Sequence, residues 1–302
     1  MEIQLDQSTT PFDLEHTLRC GQLFRWEKRG DWWYGVAGEM VVKIRQVKDR
    51  LVFQTFPEKV DADFIENYFR LDDDLPRILS RIDKDEHIRK AIQCFRGLRI
   101  GRQEPWECLI SYICATYKNI PAIKKMIFNL SKRFGRKMTF NSHSFYTFPK
   151  PRDLVQASLK EIRECKLGFR DASVLEASKI VDRGELNLEG LRKMDYKKAK
   201  HELLSLPGVG QKVADCALLF SLDKLEAFPV DIWMRRIILD FYPSHFEDSF
   251  VERVSGKSSI TPSEYDIISS FGRRYFGEYA GYAQEYMFLL SRSQEGMQTS
   301  KA

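Results

Sequence analysis

Between Trp32 and Phe56 apolar residues come in short runs broken by turns; after Pro57 the pattern turns helical, with apolar positions three and four apart. The runs Trp32-Trp33-Tyr34-Gly35-Val36, Met40 to Gln46 and Leu51 to Phe56 are rich in β-branched and aromatic residues, which favour a pleated backbone. Ala37-Gly38-Glu39 and Lys48-Asp49-Arg50 interrupt them with turn residues. The pattern predicts an antiparallel meander with one packed face. Beyond it, Asp61 or Asp63 can cap a helix with the stripe Phe64, Ile65, Tyr68 and Phe69, and Ile88, Ala91, Ile92 and Phe95 form a second stripe.

The rest of the chain reads as an array of helices. Leu109, Ile110, Ile113 and Cys114 share one face; Ile123, Ile127, Leu130 and Phe134 share the next, which Gly135 ends. Ser158-Leu159-Lys160-Glu161 and Thr261-Pro262-Ser263-Glu264 have the form of capping boxes, the second with proline at the first helical position. Helical stretches Asp195 to Leu204 and Gln211 to Leu222 flank a hairpin, and a last strong helix spans about Tyr279 to Leu290. The fold class expected is α+β. Residues 1–98 form an N-terminal antiparallel β-sheet domain with flanking helices, 99–294 a helical domain carrying the hairpin, and 295–302 a flexible tail. The polar stretch Gly97 to Gln103 marks the boundary.

Composition narrows this only slightly. With 302 residues, 43% hydrophobic and 30% charged, the chain has the balance of an ordinary globular protein. A net charge of +5 fits a polyanionic partner without requiring one. No apolar run reaches membrane-spanning length. The six cysteines (Cys20, Cys94, Cys108, Cys114, Cys165 and Cys216) are scattered, so no zinc site or iron–sulfur cluster is suggested, and reduced thiols point to an intracellular location.

Candidate chemistry sits around the turn Leu206-Pro207-Gly208-Val209-Gly210. Two glycines allow a tight reversal, and the helix that follows presents unpaired N–H groups, a natural phosphate site. By itself the turn is equally well a plain helix–helix connection. Lys212 lies just beyond it, at the edge of the apolar helix containing Ala217-Leu218-Leu219-Phe220, and Asp231 follows Pro229-Val230. Taken singly, Lys212 reads as a solvated lysine and Asp231 as an N-cap. Together they can form a reaction centre, with an amine aimed at a sugar carbon and a carboxylate to stabilise developing positive charge.

At these residues the chain resembles the 8-oxoguanine DNA glycosylase/AP lyase family of the helix–hairpin–helix glycosylase superfamily. The resemblance rests on Leu206-Pro-Gly-Val-Gly-Gln-Lys-Val-Ala-Asp-Cys216 followed by Pro229-Val-Asp231. It extends to Gly21-Gln22-Leu23-Phe24-Arg25-Trp26, Glu107-Cys108-Leu109, Leu167-Gly168-Phe169-Arg170 and Tyr279-Ala-Gly-Tyr-Ala-Gln284 with Phe288, so it covers roughly residues 10 to 290.

The resemblance implies a bifunctional base-excision-repair enzyme that flips 8-oxoguanine out of duplex DNA, excises it with Lys212 as Schiff-base nucleophile and nicks the abasic site by β-elimination. Asp231 would be the acidic partner. Cys216 and Phe288 would sandwich the base, Gln284 would bond its Watson–Crick edge, and the Gly21 carbonyl would accept the N7–H that guanine lacks. Asn119, Phe169, Arg170, Gly208, Val209 and Gly210 would contact DNA. The family implies no required cofactor and no iron–sulfur cluster. It is compatible with a structural monovalent or divalent cation at the hairpin–phosphate contact, a monomer, and a DNA-associated place in cytoplasm, nucleoid or nucleus. This chain departs from the family pattern at Tyr117-Lys118-Asn119, where three asparagines are usual, and at Ala122, where an arginine reads the estranged cytosine. Phe169 replaces a tyrosine and Trp233 a histidine. A weaker preference for cytosine opposite the lesion is therefore expected. The rival readings are an endonuclease-III-like glycosylase for oxidised pyrimidines, which lacks support because no cysteine follows Cys216, and a non-catalytic helix–hairpin–helix scaffold.

Overall fold

Five strands form one antiparallel sheet in the computed structural model of the chain, which describes residues 1–299. The strands are β1 (Glu2–Gln4), β2 (Trp26–Arg29), β3 (Trp32–Ala37), β4 (Met40–Val47) and β5 (Arg50–Phe56), in the order β1-β5-β4-β3-β2. The predicted meander is β3-β4-β5; short edge strands β1 and β2 extend it. Gly35 opposes Val42 and Ile44 opposes Phe53, so Val42, Ile44, Leu51 and Phe53 are buried together. They pack with α1 (Leu14–Arg19) and α2 (Ala62–Tyr68) through Leu14, Leu18, Ile65 and Phe69. Gly35 is required by close approach, since a Cβ there would lie 2.3 Å from the Trp26 ring.

The sheet's second face is also partly covered, contrary to the expectation of a single packed face. A hairpin of β6 (Lys137–Phe140) and β7 (His143–Tyr146) sets Met138 against Val36 and Val41. Phe145 stacks on Tyr34 and Phe140 on Phe56. Alternation in the sequence reports that a face is apolar; it does not report which distant segment will cover it.

Helices α3 (Leu75–Ile82) and α4 (Glu86–Cys94) precede α5 (Pro105–Ala115) and α6 (Ile120–Phe134). After the hairpin come α7 (Pro151–Val155), α8 (Leu159–Glu164), α9 (Asp171–Asp182), α10 (Tyr196–Leu204) and α11 (Gln211–Ser221). The last four are α12 (Ile232–Phe241), α13 (Asp248–Val254), α14 (Pro262–Phe276) and α15 (Ala280–Thr299). Both expected capping boxes form: Ser158 and Glu161 at α8, Thr261 and Glu264 at α14. Gly135 ends α6 for a different reason than a left-handed cap. Its φ is −85°, and a Cβ would lie 1.9 Å from the Thr147 carbonyl oxygen.

The hydrophobic cores part near residue 72 and not near 98. Leu75, Ile78, Leu79, Ile82, Ile88 and Ala91 belong to the helical core, with Tyr282, Tyr286 and Leu290 of α15. The polar run that suggested the boundary is a connecting segment pinned by Gln22, whose Nε2 donates to the Arg99 carbonyl at 2.7 Å and whose Oε1 accepts from Gly101 N at 2.9 Å. At the other end α15 continues to Thr299, five residues into the stretch expected to be a tail; residues 300–302 lie outside the described part.

Candidate active site

The site grows from the α10–α11 junction. Val209 N donates to the Leu206 carbonyl at 3.2 Å, closing the turn. Gly208 adopts φ +81°, and a Cβ there would meet the Ser173 side chain of α9 at 2.7 Å, so both conformation and space demand glycine. Gly210 is the N-cap of α11 and has open space around it, which leaves the helix-start amides accessible. From Val213 to Ser221 α11 is buried, so Lys212 stands where the helix emerges from the core. The carboxylate of Asp215, fully buried on the same helix, is committed elsewhere: it accepts from Tyr196 Oη at 2.7 Å, Tyr265 Oη at 2.6 Å and Lys200 Nζ at 2.9 Å. Lys200, not Lys212, is therefore its ion-pair partner.

A cavity of about 510 Å³ opens beside this helix start. Lys212 and Cys216, one turn apart on α11, form one wall; Gln284 and Phe288, one turn apart on α15, form another. Gly21, Asn119 and Asp231 complete the ring. The Gly-Gln-x-Phe-Arg-Trp segment places Gly21 here for legible reasons. Gln22 is locked to residues 99–103, Arg25 pairs with the largely covered Glu107 at 2.8 Å, and Trp26 Nε1 donates to Tyr68 Oη at 2.9 Å. Burial pushes the Glu107 carboxyl up, against the pull of Arg25. Gly21 itself has φ +109°, and a Cβ would come within 2.9 Å of Arg292 Nη1 and 3.1 Å of Ile120 Cδ1.

Asp231 caps α12, its Oδ1 accepting from Met234 N at 2.8 Å. Burial drives the Cys216 thiol well up, so it stands in the cavity as a neutral, polarisable wall. Gln284 is 6% exposed; its Nε2 reaches only Met234 Sδ at 3.7 Å, and its buried Oε1 has no hydrogen-bond partner. An unpaired buried amide oxygen is costly unless a ligand supplies a donor.

The structure does not bring every candidate residue into this cavity. Phe169 lies outside it, 69% exposed on the turn Gly168–Arg170. Arg170 is 2% exposed: its guanidinium donates to the Leu167 carbonyl at 3.0 Å and to the Thr116 carbonyl, and lies 4.1 Å from the Phe169 ring centre. In this DNA-free state it braces two loops and does not present itself to a base. Asn119 lines the cavity rim, but its Oδ1 is occupied as the N-cap of α6, accepting from Ala122 N at 3.0 Å. Val209 is buried, while Gly208 and Gly210 are exposed.

Residues to which the sequence assigned no site role also line the cavity, chiefly Phe24, Tyr112, Glu285 and Arg292. For the last two a signal existed. Positions 285 and 292, seven residues apart, share one helical face about a quarter turn round from Gln284, but burial of a Glu and an Arg there could not be read from spacing. Tyr117, 79% exposed in the α5–α6 loop, was noted only as a departure from the asparagine run.

The family profile described as 8-oxoguanine DNA glycosylase, N-terminal domain, matches residues 4–109. The chain is 32% identical to a probable N-glycosylase/DNA lyase of Methanothermobacter thermautotrophicus, over 94% of this chain and 97% of that protein. It is 30% identical to an N-glycosylase/DNA lyase of Arabidopsis thaliana, over 93% of this chain and 77% of that one. The Clostridium acetobutylicum 8-oxoguanine glycosylase/lyase, in complex with double-stranded DNA containing cytosine opposite 8-oxoguanine, superposes with a TM-score of 0.83 at 31% identity, covering 94% of this chain and 93% of that one. The sequence and fold matches run over nearly the whole length, the profile over residues 4–109, and the chain belongs to the 8-oxoguanine DNA glycosylase/lyase family.

Proposed function

We propose that this protein removes 8-oxoguanine from duplex DNA and then nicks the resulting abasic strand, with Lys212 as the nucleophile and Asp231 as its acidic partner. The observation that carries this reading is the convergence of Lys212, Asp231, Cys216, Gln284, Phe288 and Gly21 on one cavity from four separate parts of the chain. The base is taken out of the stack to enter it. Cys216 and Phe288 face its two sides, Gln284 Oε1 accepts from its Watson–Crick edge, and the Gly21 carbonyl accepts N7–H. Guanine has a lone pair at N7, so it would oppose acceptor to acceptor there; a buried polar mismatch costs about 1–3 kcal/mol.

The neutral Lys212 amine attacks C1′ as the C1′–N9 bond breaks, and the base leaves with the bonding pair and gains a proton. Loss of the amine proton and opening of the sugar ring give an imine between Nζ and C1′. Removal of a C2′ proton then expels the 3′ phosphate and cuts the strand. Asp231, fixed at the start of α12, stabilises the positive charge that grows on the sugar. The exposed amides of Gly210 and the first turn of α11 take a backbone phosphate, and Phe169 stacks into the gap left by the flipped nucleotide. The segment Leu206–Gly210 has no carboxylate, so a cation at this contact would be held by main-chain carbonyls; the described residues contain no group of three or more His, Cys, Asp or Glu side chains placed to hold a metal.

Borohydride treatment of the protein with a lesion duplex should trap a covalent adduct, and Lys212→Gln should abolish it together with excision and nicking while DNA binding persists. Binding without any adduct in the wild-type protein would favour the scaffold reading instead. Ala122 offers no guanidinium and Arg170 is folded onto the Thr116 carbonyl. Excision from duplexes with C, T, G or A opposite the lesion is therefore expected to vary by less than about tenfold, roughly the discrimination that one good base contact supplies. A cytosine preference of a hundredfold or more would show that Arg170 or another group reads the estranged base.

A further inference from the structure

Helix α15 also delivers Glu285 to the cavity, and the reaction described above has no use for it. Glu285 is 5% exposed, forms no salt bridge among the described residues, and its Oε2 is buried without a hydrogen-bond partner. The nearest candidate to neutralise it from its own helix, Arg292, is turned aside to donate to the Cys20 carbonyl at 2.8 Å. The adjacent residue repeats the pattern, since Gln284 Oε1 is also buried and unpaired. Gln284 and Glu285, neighbours in the wall of one cavity, thus each carry a buried oxygen with no hydrogen-bond donor placed on it, and the Cys20 thiol is the protein group that bonds the Glu285 carboxyl. Buried acceptors without donors are rare and need a reason. A guanine-type base brings several N–H donors, at N1 and at the exocyclic amine, and oxidation at C8 adds another at N7.

We infer that Glu285 is a further base-reading residue, whose carboxylate takes an N–H of the extruded purine beside the contact made by Gln284, so that the paired acceptors select the donor-rich edges of a guanine-type lesion. This rests on the reading of the cavity as the base pocket. The ionisable groups facing Glu285 are Cys20 from the Gly21 turn, Tyr112 from α5, Lys212 and Cys216 from α11, Asp231 before α12, and Arg292. Burial dominates and lifts the Glu285 carboxyl to about 7; Asp231 adds to the rise, while the Cys20 thiol, Arg292 and Lys212 oppose it. The carboxylate therefore forms between mildly acidic and mildly basic pH. A donor from the base favours the ionised state further.

The test compares two rates on the same sequence, base excision from a duplex with one 8-oxoguanine and strand nicking at a preformed abasic site. Both use the Lys212 amine, and only the first has a base to read. For the wild-type protein the ratio is expected to rise between pH 6 and pH 8 by up to about tenfold, the change in ionised fraction for a group centred near 7. In Glu285→Gln, which keeps the side-chain volume, the ratio should fall at least tenfold at pH 8 and lose its pH dependence; Glu285→Ala should behave alike. A structural role would slow both reactions together and leave the ratio unmoved. A Glu285→Gln ratio within twofold of wild type at both pH values overturns the inference. Wild-type protein that yields no excision and no trapped adduct overturns the reading of the pocket itself, which is a separate result.

Discussion

Asp231 caps a helix and is proposed to act in catalysis as well, and the residue scale is where the two roles can be separated. Oδ1 caps α12 at 2.8 Å from Met234 N, and the side chain also lines the cavity. Asparagine caps a helix about as well as aspartate, so Asp231→Asn should keep the fold within about 0.5 kcal/mol of wild type by thermal melting. It removes the charge that faces the sugar. Excision should drop by about a hundredfold or more, a loss of roughly 2.7 kcal/mol in barrier lowering. Near-normal turnover in a well-folded Asp231→Asn protein would reduce the residue to a cap. The Lys212 environment fits the same division of labour. Asp215, which could have held the amine as an ion pair, is occupied by Lys200 and two tyrosines, so the nucleophile is left to the cavity.

At the scale of elements, the hairpin between α10 and α11 is shaped by one residue more than any other. Gly208 combines φ +81° with a 2.7 Å approach to Ser173, so Gly208→Ala imposes strain of about 1–3 kcal/mol and pushes the hairpin away from α9. On the proposed function the same turn aims the start of α11 at the DNA backbone. Gly208→Ala should therefore weaken binding to undamaged and damaged duplex alike, as measured by titration at fixed salt, since a phosphate contact carries no base information. Gly210, with open space around its Cα, should accept alanine with little change in melting temperature; equal loss of affinity in both variants would mean that the hairpin's shape is not what counts.

Across the whole molecule, the buried Glu285 links function to stability. Its carboxyl titrates near 7 in the folded chain against an ordinary value of 4.5, so between those values the folded state holds the proton that the unfolded state has lost. Stability then falls as pH rises from about 4.5 to about 7 and stays reduced above it. Glu285→Gln should melt higher than wild type at pH 8, by on the order of 1–3 kcal/mol, with the gap closing towards pH 5. A gap that grows on acidification would contradict the burial argument. A residue that weakens the fold at the pH where the enzyme works is understandable if it serves the ligand.

The sequence by itself determined the elements and the centre of the chemistry. β-branched and aromatic runs fixed β3, β4 and β5, apolar stripes fixed most helices, the S/T-x-x-E pattern fixed the starts of α8 and α14, and Gly208-x-Gly210 with Lys212 and Asp231 marked the pair proposed to react. These are local matters, decided by backbone sterics and by side chains a few residues apart. Tertiary structure decided what lay across distance. It assigned α3 and α4 to the helical core, laid β6 and β7 over the sheet, folded Arg170 onto Thr116, and carried α15 to Thr299. It also brought Gly21, Lys212, Asp231 and Glu285 around one cavity. A stripe of apolar residues states that a helix will be buried, not against what. Whether a buried glutamate is neutralised or left for a ligand depends on partners hundreds of residues away, which no local pattern encodes.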